Sequence, residues 1–371
     1  MGVHTRPAVA SAKRSGYAVE SADYFGDEDL KSLADALLSI VEQRPYRSCG
    51  RFAEQYSDEK LLALAQRLSG DRIILTSTLG MRSKKIAGIS GKRAKKLKDK
   101  AYQLARVRRL GIPMPETRVV RNRDEAVEAA RDIGFPVVLK PALGAGGAGV
   151  VLARRGEEIP QIGERCLVQE YIKGRAISVS TLSAGDESVA ISTSTQLLGS
   201  RLANAEGFMY CGSVAPYSSD GRLLSLAEEI SRLFNLKGWN GIDFVHARGE
   251  YYFIELNPRF QGTLDAVERA YGIAIAEAHL AACDGELPEQ RPQAKRFAAR
   301  LTLFARERSI VRGNLAKLCC DVPRRNVIVE AGEPVTTVLG SGRSKSEALR
   351  EVKEKAKLVR TRFLFPVSEA F

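Results

Sequence analysis

Apolar positions over the first hundred or so residues recur mostly at helical spacing, interrupted by short runs that read as strands. Arg6 to Arg14 is helical in composition, Gly16 stops it, and residues 17–22 read as a strand. Helical patterns follow over 28–43 and 51–68, and residues 71–76 read as a short buried strand. A nucleotide-binding-like α/β lobe opens on a strand before its first helix. Only Met1-Gly2-Val3 stands there, so that strand is expected to be either a stub or lost to a start placed too late. The lobe is expected to end near residue 91. A helix then runs over 92–110, and Gly111-Ile112-Pro113-Met114-Pro115 breaks it before a strand, helix, strand series that continues to about Leu287. Pro288 and Pro292 bracket a polar linker. A strand-rich tail with one helix over 344–359 follows. The pattern predicts an α/β chain in three parts, 1–91, 92–287 and 288–371.

Two local features carry chemistry. Phe135-Pro136-Val137-Val138-Leu139-Lys140-Pro141 is a buried strand ending in lysine, followed at once by Gly144-Ala145-Gly146-Gly147-Ala148-Gly149. The loop does not open a helix, as a dinucleotide-binding turn must, because Val150-Val151-Leu152-Ala153 reads as a strand. Nor does GK[ST] follow, as in a P-loop. A glycine-rich hairpin tip can still lie over phosphates and offer them backbone N–H groups, with Lys140 adding a point charge. A flexible surface turn is the plainer alternative.

The second feature is the segment 241–259, which reads as two strands around a glycine-containing turn. Glu255 and Asn257 share one face. A three-residue turn at Arg248-Gly249-Glu250 puts Asp243 opposite Glu255 on that face; a two-residue turn puts it on the other side. Two carboxylates and an amide oxygen converging among apolar residues would repel one another without a cation. Mg2+ suits such a set, since it takes a few carboxylate oxygens and leaves room for substrate phosphates.

Composition narrows the class. The 371 residues suffice for two or three α/β units, and 44% hydrophobic with 27% charged residues is ordinary for a globular chain. No apolar run reaches the length of about 20 residues needed to cross a bilayer, and the first residues lack a secretory pattern, so the expected location is cytoplasmic and no membrane partner is expected. The six cysteines and three histidines show no zinc spacing; the vicinal Cys319-Cys320 pair reads as core filling. The net charge of +13 concentrates between Arg82 and Lys100, without interleaved aromatics for base stacking. A solvated helix face accounts for that run, and nucleic acid is the less favoured partner.

Taken in order, these motifs resemble the ATP-grasp superfamily, in particular the branch of biotin carboxylase, carbamoyl phosphate synthetase and related carboxylate-amine ligases. The resemblance implies an ATP-grasp fold with an N-terminal Rossmann-like lobe and a small strand-rich C-terminal lobe. It implies ATP and Mg2+, or Mn2+ in its place, as cofactors. It implies small-molecule carboxylate and amine substrates, with a homodimer left open. It assigns phosphate-binding roles to Lys100, within Asp99-Lys100, to Lys140 and to the loop at Gly144, Gly146 and Gly147. Adenine falls to the backbone of a hinge strand containing Gln169, Glu170, Tyr171 and Ile172. The metal ligands become Asp243, Glu255 and Asn257, and Arg259 steadies an acyl phosphate, with Lys140 and Arg259 as the catalytic pair. Many relatives carry a ribose-binding glutamate two residues after the hinge glycine; here Gly174-Arg175-Ala176 offers alanine. That departure motivates an alternative, an ATP-binding protein without catalysis. The acceptor pocket is not legible, although Arg201 and the segment 207–212 are candidates, with an edge strand as the plainer account.

Overall fold

A computed structural model describes residues 1–367. Its centre is an eight-stranded sheet, antiparallel throughout, in the spatial order Glu250–Asn257, Lys237–Ala247, Arg175–Ala184, Ser188–Leu198, Tyr210–Ala215, Phe297–Phe304, Pro334–Gly342 and Cys319–Cys320. A four-stranded antiparallel sheet, in the order Thr117–Val120, Cys166–Glu170, Val137–Pro141 and Val151–Ala153, covers one end of it. Strands from the tail thus extend the same sheet as the 241–259 hairpin. The helix Lys345–Arg362, capped by Ser344, packs its Ala348, Val352, Ala356 and Val359 onto that extension.

Alternation along the central strands sorts the two faces. Ile177, Val179, Ile242 and Phe244 point into a core shared with Leu223, Ala227 and Ile230 of the helix Gly221–Leu233. Their neighbours Ser178, Ser180 and Asp243 point the other way, toward the four-stranded sheet. Burial of such side chains contributes roughly 1.5–3 kcal/mol each, so the register of these strands is strongly held.

The first ninety residues are parallel where paired, Glu20–Asp23 with Ala36–Ser39 and Ile73–Ile74 with Ile86–Ala87. Met1 to Val3 lie between the two pairs as a stub: Gly2 N–H bonds Ala22 O at 3.1 Å, and Thr76 N–H bonds Met1 O at 2.9 Å. The helix Arg6–Arg14 stands as expected. Other elements differ. The 28–43 helix stops at Leu33, because Asp35 takes the Val19 N–H at 2.6 Å and Lys13 at 3.0 Å, and the chain turns into a strand beside Glu20–Asp23. The 51–68 helix divides into Phe52–Gln55 and Asp58–Ala65, the second capped by Ser57. The strands read over 17–22 and 71–76 shrink to Glu20–Asp23 and Ile73–Ile74. The 92–110 helix breaks into Gly91–Leu97 and Lys100–Val107 because Asp99 caps the second, its Oδ1 accepting from Ala101 N–H at 2.9 Å. The strand Tyr210–Ala215 lies between two partners and is not an edge. No described helix is long and apolar enough to cross a membrane.

Candidate active site

Between the two sheets lies a cavity of about 730 Å³, within the size range of small-molecule sites. Each sequence-predicted residue, Lys100, Lys140, Gly144, Gly146, Gly147, Gln169, Glu170, Tyr171, Ile172, Asp243, Glu255, Asn257 and Arg259, lines it. Arg201 does not, whereas Gly207, Phe208 and Tyr210 do.

The acidic hairpin reaches its expected arrangement by an unexpected route. Its turn has two residues, Arg248 and Gly249, both at positive φ (+53° and +75°), and Ala247 pairs with Glu250. That turn alone would have sent Asp243 to the wrong face. An irregularity between Asp243 and Phe244 restores it, since Phe244 pairs with Phe253 and Asp243 with Glu255. Ile254 is therefore the extra residue of a β-bulge. It lets Phe253 and Leu256, three apart, both enter the core while Glu255 faces the cavity. Asn257 Nδ2 donates to Asp243 Oδ2 at 3.0 Å and to Glu255 Oε1 at 3.3 Å, and Arg259 Nη2 donates to Asn257 Oδ1 at 3.3 Å.

Among the charged side chains of the cavity, the buried atoms Lys140 Nζ and Asp243 Oδ1 lack hydrogen-bond partners among the described residues. Burial, then the Glu255 carboxylate, push the Asp243 pKa up to about 7 against partial relief from Ser178 and Gln196. Burial pulls the Lys140 ammonium down to about 8, opposed by Glu255 and reinforced by Lys100. Arg259 is also lowered by burial, with Glu255 and Asp243 acting the other way. Lys100 Nζ donates to Gly144 O at 2.7 Å and stands 3.7 Å from Glu255 Oε2, so the broken helix delivers its first residue to both the loop and the hairpin. An unpartnered ammonium beside an unpartnered carboxylate oxygen suits a polyphosphate with its divalent cation, which would satisfy both. Among the described residues no group of three or more His, Cys, Asp or Glu side chains could hold a metal without such added oxygens.

The glycine loop lines the cavity and is tied to the strand Tyr210–Ala215. Gly146 O accepts from Tyr210 N–H at 3.0 Å, and a Cβ on Gly147 (φ +83°) would meet Phe208 O at 2.1 Å. In the hinge, Glu170 N–H is committed to Glu116 O at 2.8 Å and Tyr171 N–H to Pro136 O at 3.2 Å. Ile172 N–H has no hydrogen-bond partner among the described residues, so of these three amides it is the one left for a ligand. Ala176 lines the cavity.

Sequence reasoning missed Gln196, Gln261 and Thr263, which with Tyr210 complete the floor. Gln261 bridges Ser178 and Ser180 at 3.2 Å each, over a glycine, Gly241, whose Cβ would strike its amide. The buried hydroxyls of Tyr210 and Thr263 have no hydrogen-bond partner among the described residues. The alternation Ser192, Ser194, Gln196 beside Ser178, Ser180 was a readable signal for a polar face; Gln261 and Thr263 sit in a loop that carried none.

The region from residue 97 to 263 matches the model of the ATP-grasp domain family. Residues 97–263 carry the ATP-grasp fold. An uncharacterized protein of Methanocaldococcus jannaschii is 28% identical over 361 residues, 93% of this chain and 88% of that protein. The C-terminal section of the carbamoyl phosphate synthase large chain of Methanopyrus kandleri is 27% identical over 278 residues, 70% of this chain; the match spans only 48% of that relative. Among solved structures, phosphoribosylamine–glycine ligase from Thermotoga maritima superposes with a TM-score of 0.73 at 18% identity, covering 96% of this chain and 95% of the other. Biotin carboxylase from Campylobacter jejuni, in its complex with β,γ-ATP, gives 0.72 at 16% identity, covering 96% and 92%. At these identities the structural likeness establishes the fold, an ATP-grasp domain between a Rossmann-like lobe and a strand-rich C-terminal extension.

Proposed function

We propose that the chain is an ADP-forming ligase that uses Mg·ATP to activate a small carboxylic acid as its acyl phosphate and then joins it to an amine. The observation that carries this reading is the convergence of Lys140, Asp243, Glu255, Asn257 and Arg259 at one end of a cavity roofed by glycines, with Lys140 Nζ and Asp243 Oδ1 unpartnered. The part from 92 to 287 would be the nucleotide-binding unit, flanked by 1–91 and 288–371. Adenine would lie along the hinge against Ile172 N–H, and the phosphates beneath Gly144 to Gly147 against Lys100 and Lys140. Asp243, Glu255 and Asn257 would hold Mg2+, which when bound neutralises phosphate charge. Lys140 and Arg259 bring fixed cations to the transferring phosphoryl group, so electrostatics and positioning supply the acceleration. The loop excludes water and so protects the acyl phosphate from hydrolysis.

The test is release of ADP and phosphate from Mg·ATP with and without a small-metabolite extract, for the native protein and for Glu255→Ala. Stimulated release that falls by about 100-fold or more in the variant, with an unchanged melting temperature, supports the reading. An active Glu255→Ala protein removes the metal assignment. ATP binding with no turnover under any extract favours a binder without catalysis, the reading that Ala176 at the ribose position suggests.

A further inference from the structure

Next to the large cavity is a recess of about 70 Å³, and Arg259, Gln261 and Gly262 line both, so the two adjoin at these three residues. The far wall is His4 with Thr76 and the first turn of the helix Arg6–Arg14. His4 and Thr76 follow the carboxyl ends of the stub Met1 to Val3 and of the strand Ile73–Ile74, where open α/β sheets place their ligands. Pro7, Ala8 and Leu264 make the rest of the recess apolar.

His4 Nε2 is 2.7 Å from Asp321 Oδ1, and Arg6 Nε donates to the same oxygen at 2.8 Å. Beside the buried Arg6 guanidinium Asp321 is a carboxylate and can only accept, so Nε2 carries a proton and, of the two neutral tautomers, the one with its lone pair on Nδ1 is selected. Nδ1 has no hydrogen-bond partner among the described residues. A histidine oriented by a carboxylate, with its basic nitrogen uncommitted, therefore shares a recess with the arginine placed at the acyl phosphate.

We propose that His4, oriented by Asp321, is the general base for the amine, and that the recess receives a primary amine on a short aliphatic stem. This rests on the acyl-phosphate reading above. The incoming ammonium gives one proton to His4 Nδ1; the freed lone pair attacks the carbonyl carbon, the C–N bond forms and the C–O bond to phosphate breaks. The second proton leaves with the phosphate as hydrogen phosphate, and His4 returns its proton to solvent.

Hydroxylamine separates the roles, because it is uncharged at neutral pH and traps an acyl phosphate as the hydroxamate without a base. The native protein and His4→Gln are given Mg·ATP and a mixture of the twenty amino acids with common di- and tricarboxylic acids. One arm contains excess hydroxylamine and is read as hydroxamate; the other contains the amino acids as the only amines and is read as ADP. The expected result is a hydroxamate yield in His4→Gln within about twofold of native, which also shows that the variant is folded, and amine-dependent ADP release lower by about 100-fold or more. Equal loss in both arms, or loss in neither, overturns the assignment of His4. Absence of hydroxamate from the native protein removes the acyl phosphate itself, and the proposal with it.

Discussion

At the scale of the residue, the site is held short of charge balance. Asp243 faces Glu255 across one rung of the hairpin, and its proton is retained to about pH 7 because burial and the neighbouring carboxylate disfavour a second negative charge. Its ordinary value is 3.8, so between about pH 4 and 7 the folded, metal-free protein binds a proton that the unfolded chain lacks. Stability contributed at this residue is therefore greatest below about pH 4 and falls as pH rises to 7. A divalent cation must displace the same proton. Apparent Mg2+ affinity should accordingly rise about tenfold per pH unit below 7 and level off above it, while saturating Mg·ATP should remove the downward slope of melting temperature with pH. Titrations at pH 5.5 to 8 by calorimetry and thermal melts would check both, and a flat Mg2+ affinity would refute the assignment of Asp243. Lys140 and the pair Glu255 and Asn257 were legible in the sequence because a strand ending in lysine before a glycine loop, and polar residues two apart on an apolar strand, are local patterns. Tyr210 was legible only as part of the candidate segment 207–212, and His4 not at all, since its significance lies in what the fold brings beside it.

At the scale of the element, the site depends on interruptions. The bulge at Ile254 reverses the face of Glu255 relative to Phe253, and the break at Asp99 turns Lys100 toward Gly144. Period alone could not reveal either one. The sequence read a continuous helix over 92–110 because the residues on both sides of Lys98-Asp99 are good helix formers, and a cap inside such a run is visible only through its hydrogen bonds. Similarly, Leu37 and Leu38 fit a helix until parallel pairing with Glu20–Asp23 claims them. The two strands over 241–259 and the final helix were legible, since their apolar spacing agrees with their local propensity. The glycine hairpin is an element with little freedom at one point. A methyl at Gly147 would collide with the Phe208 carbonyl, a backbone atom, at a positive φ. Gly147→Ala should thus lift the loop from Phe208 and Tyr210, raising the KM for ATP several-fold and admitting water to the acyl phosphate. The measurable signature is a higher ratio of ADP released to amide formed, with global stability reduced by only about 1–2 kcal/mol. Unchanged coupling in that variant would show that the loop is no cover.

At the scale of the molecule, one buried ion network ties the first lobe to the rest. Arg6 donates to both oxygens of Asp265 at 2.9 and 2.5 Å and to Asp321 at 2.8 Å, and Arg300 stands 3.6 Å from each of the same two aspartates. These four residues come from the first helix, the helix Leu264–Tyr271, the strand Phe297–Phe304 and the turn after Cys319–Cys320. The network therefore fixes how the recess at His4 faces Arg259. Removing Arg6 leaves two buried carboxylates sharing a single guanidinium, so Arg6→Met should cost about 3–5 kcal/mol, measured as a shift in denaturant midpoint at unchanged slope. The pH dependence identifies the cause. Both aspartates are held below their ordinary value of 3.8 despite burial, by the attraction of Arg6 with that of His4 or Arg300. Their contribution is fully present above about pH 4 and is lost as pH falls through the depressed values. The difference between native protein and Arg6→Met should consequently shrink as pH drops below 4, whereas a loss of packing alone would leave it constant. A pH-independent difference would mean that the methylenes of Arg6, and not its charge, join the lobes.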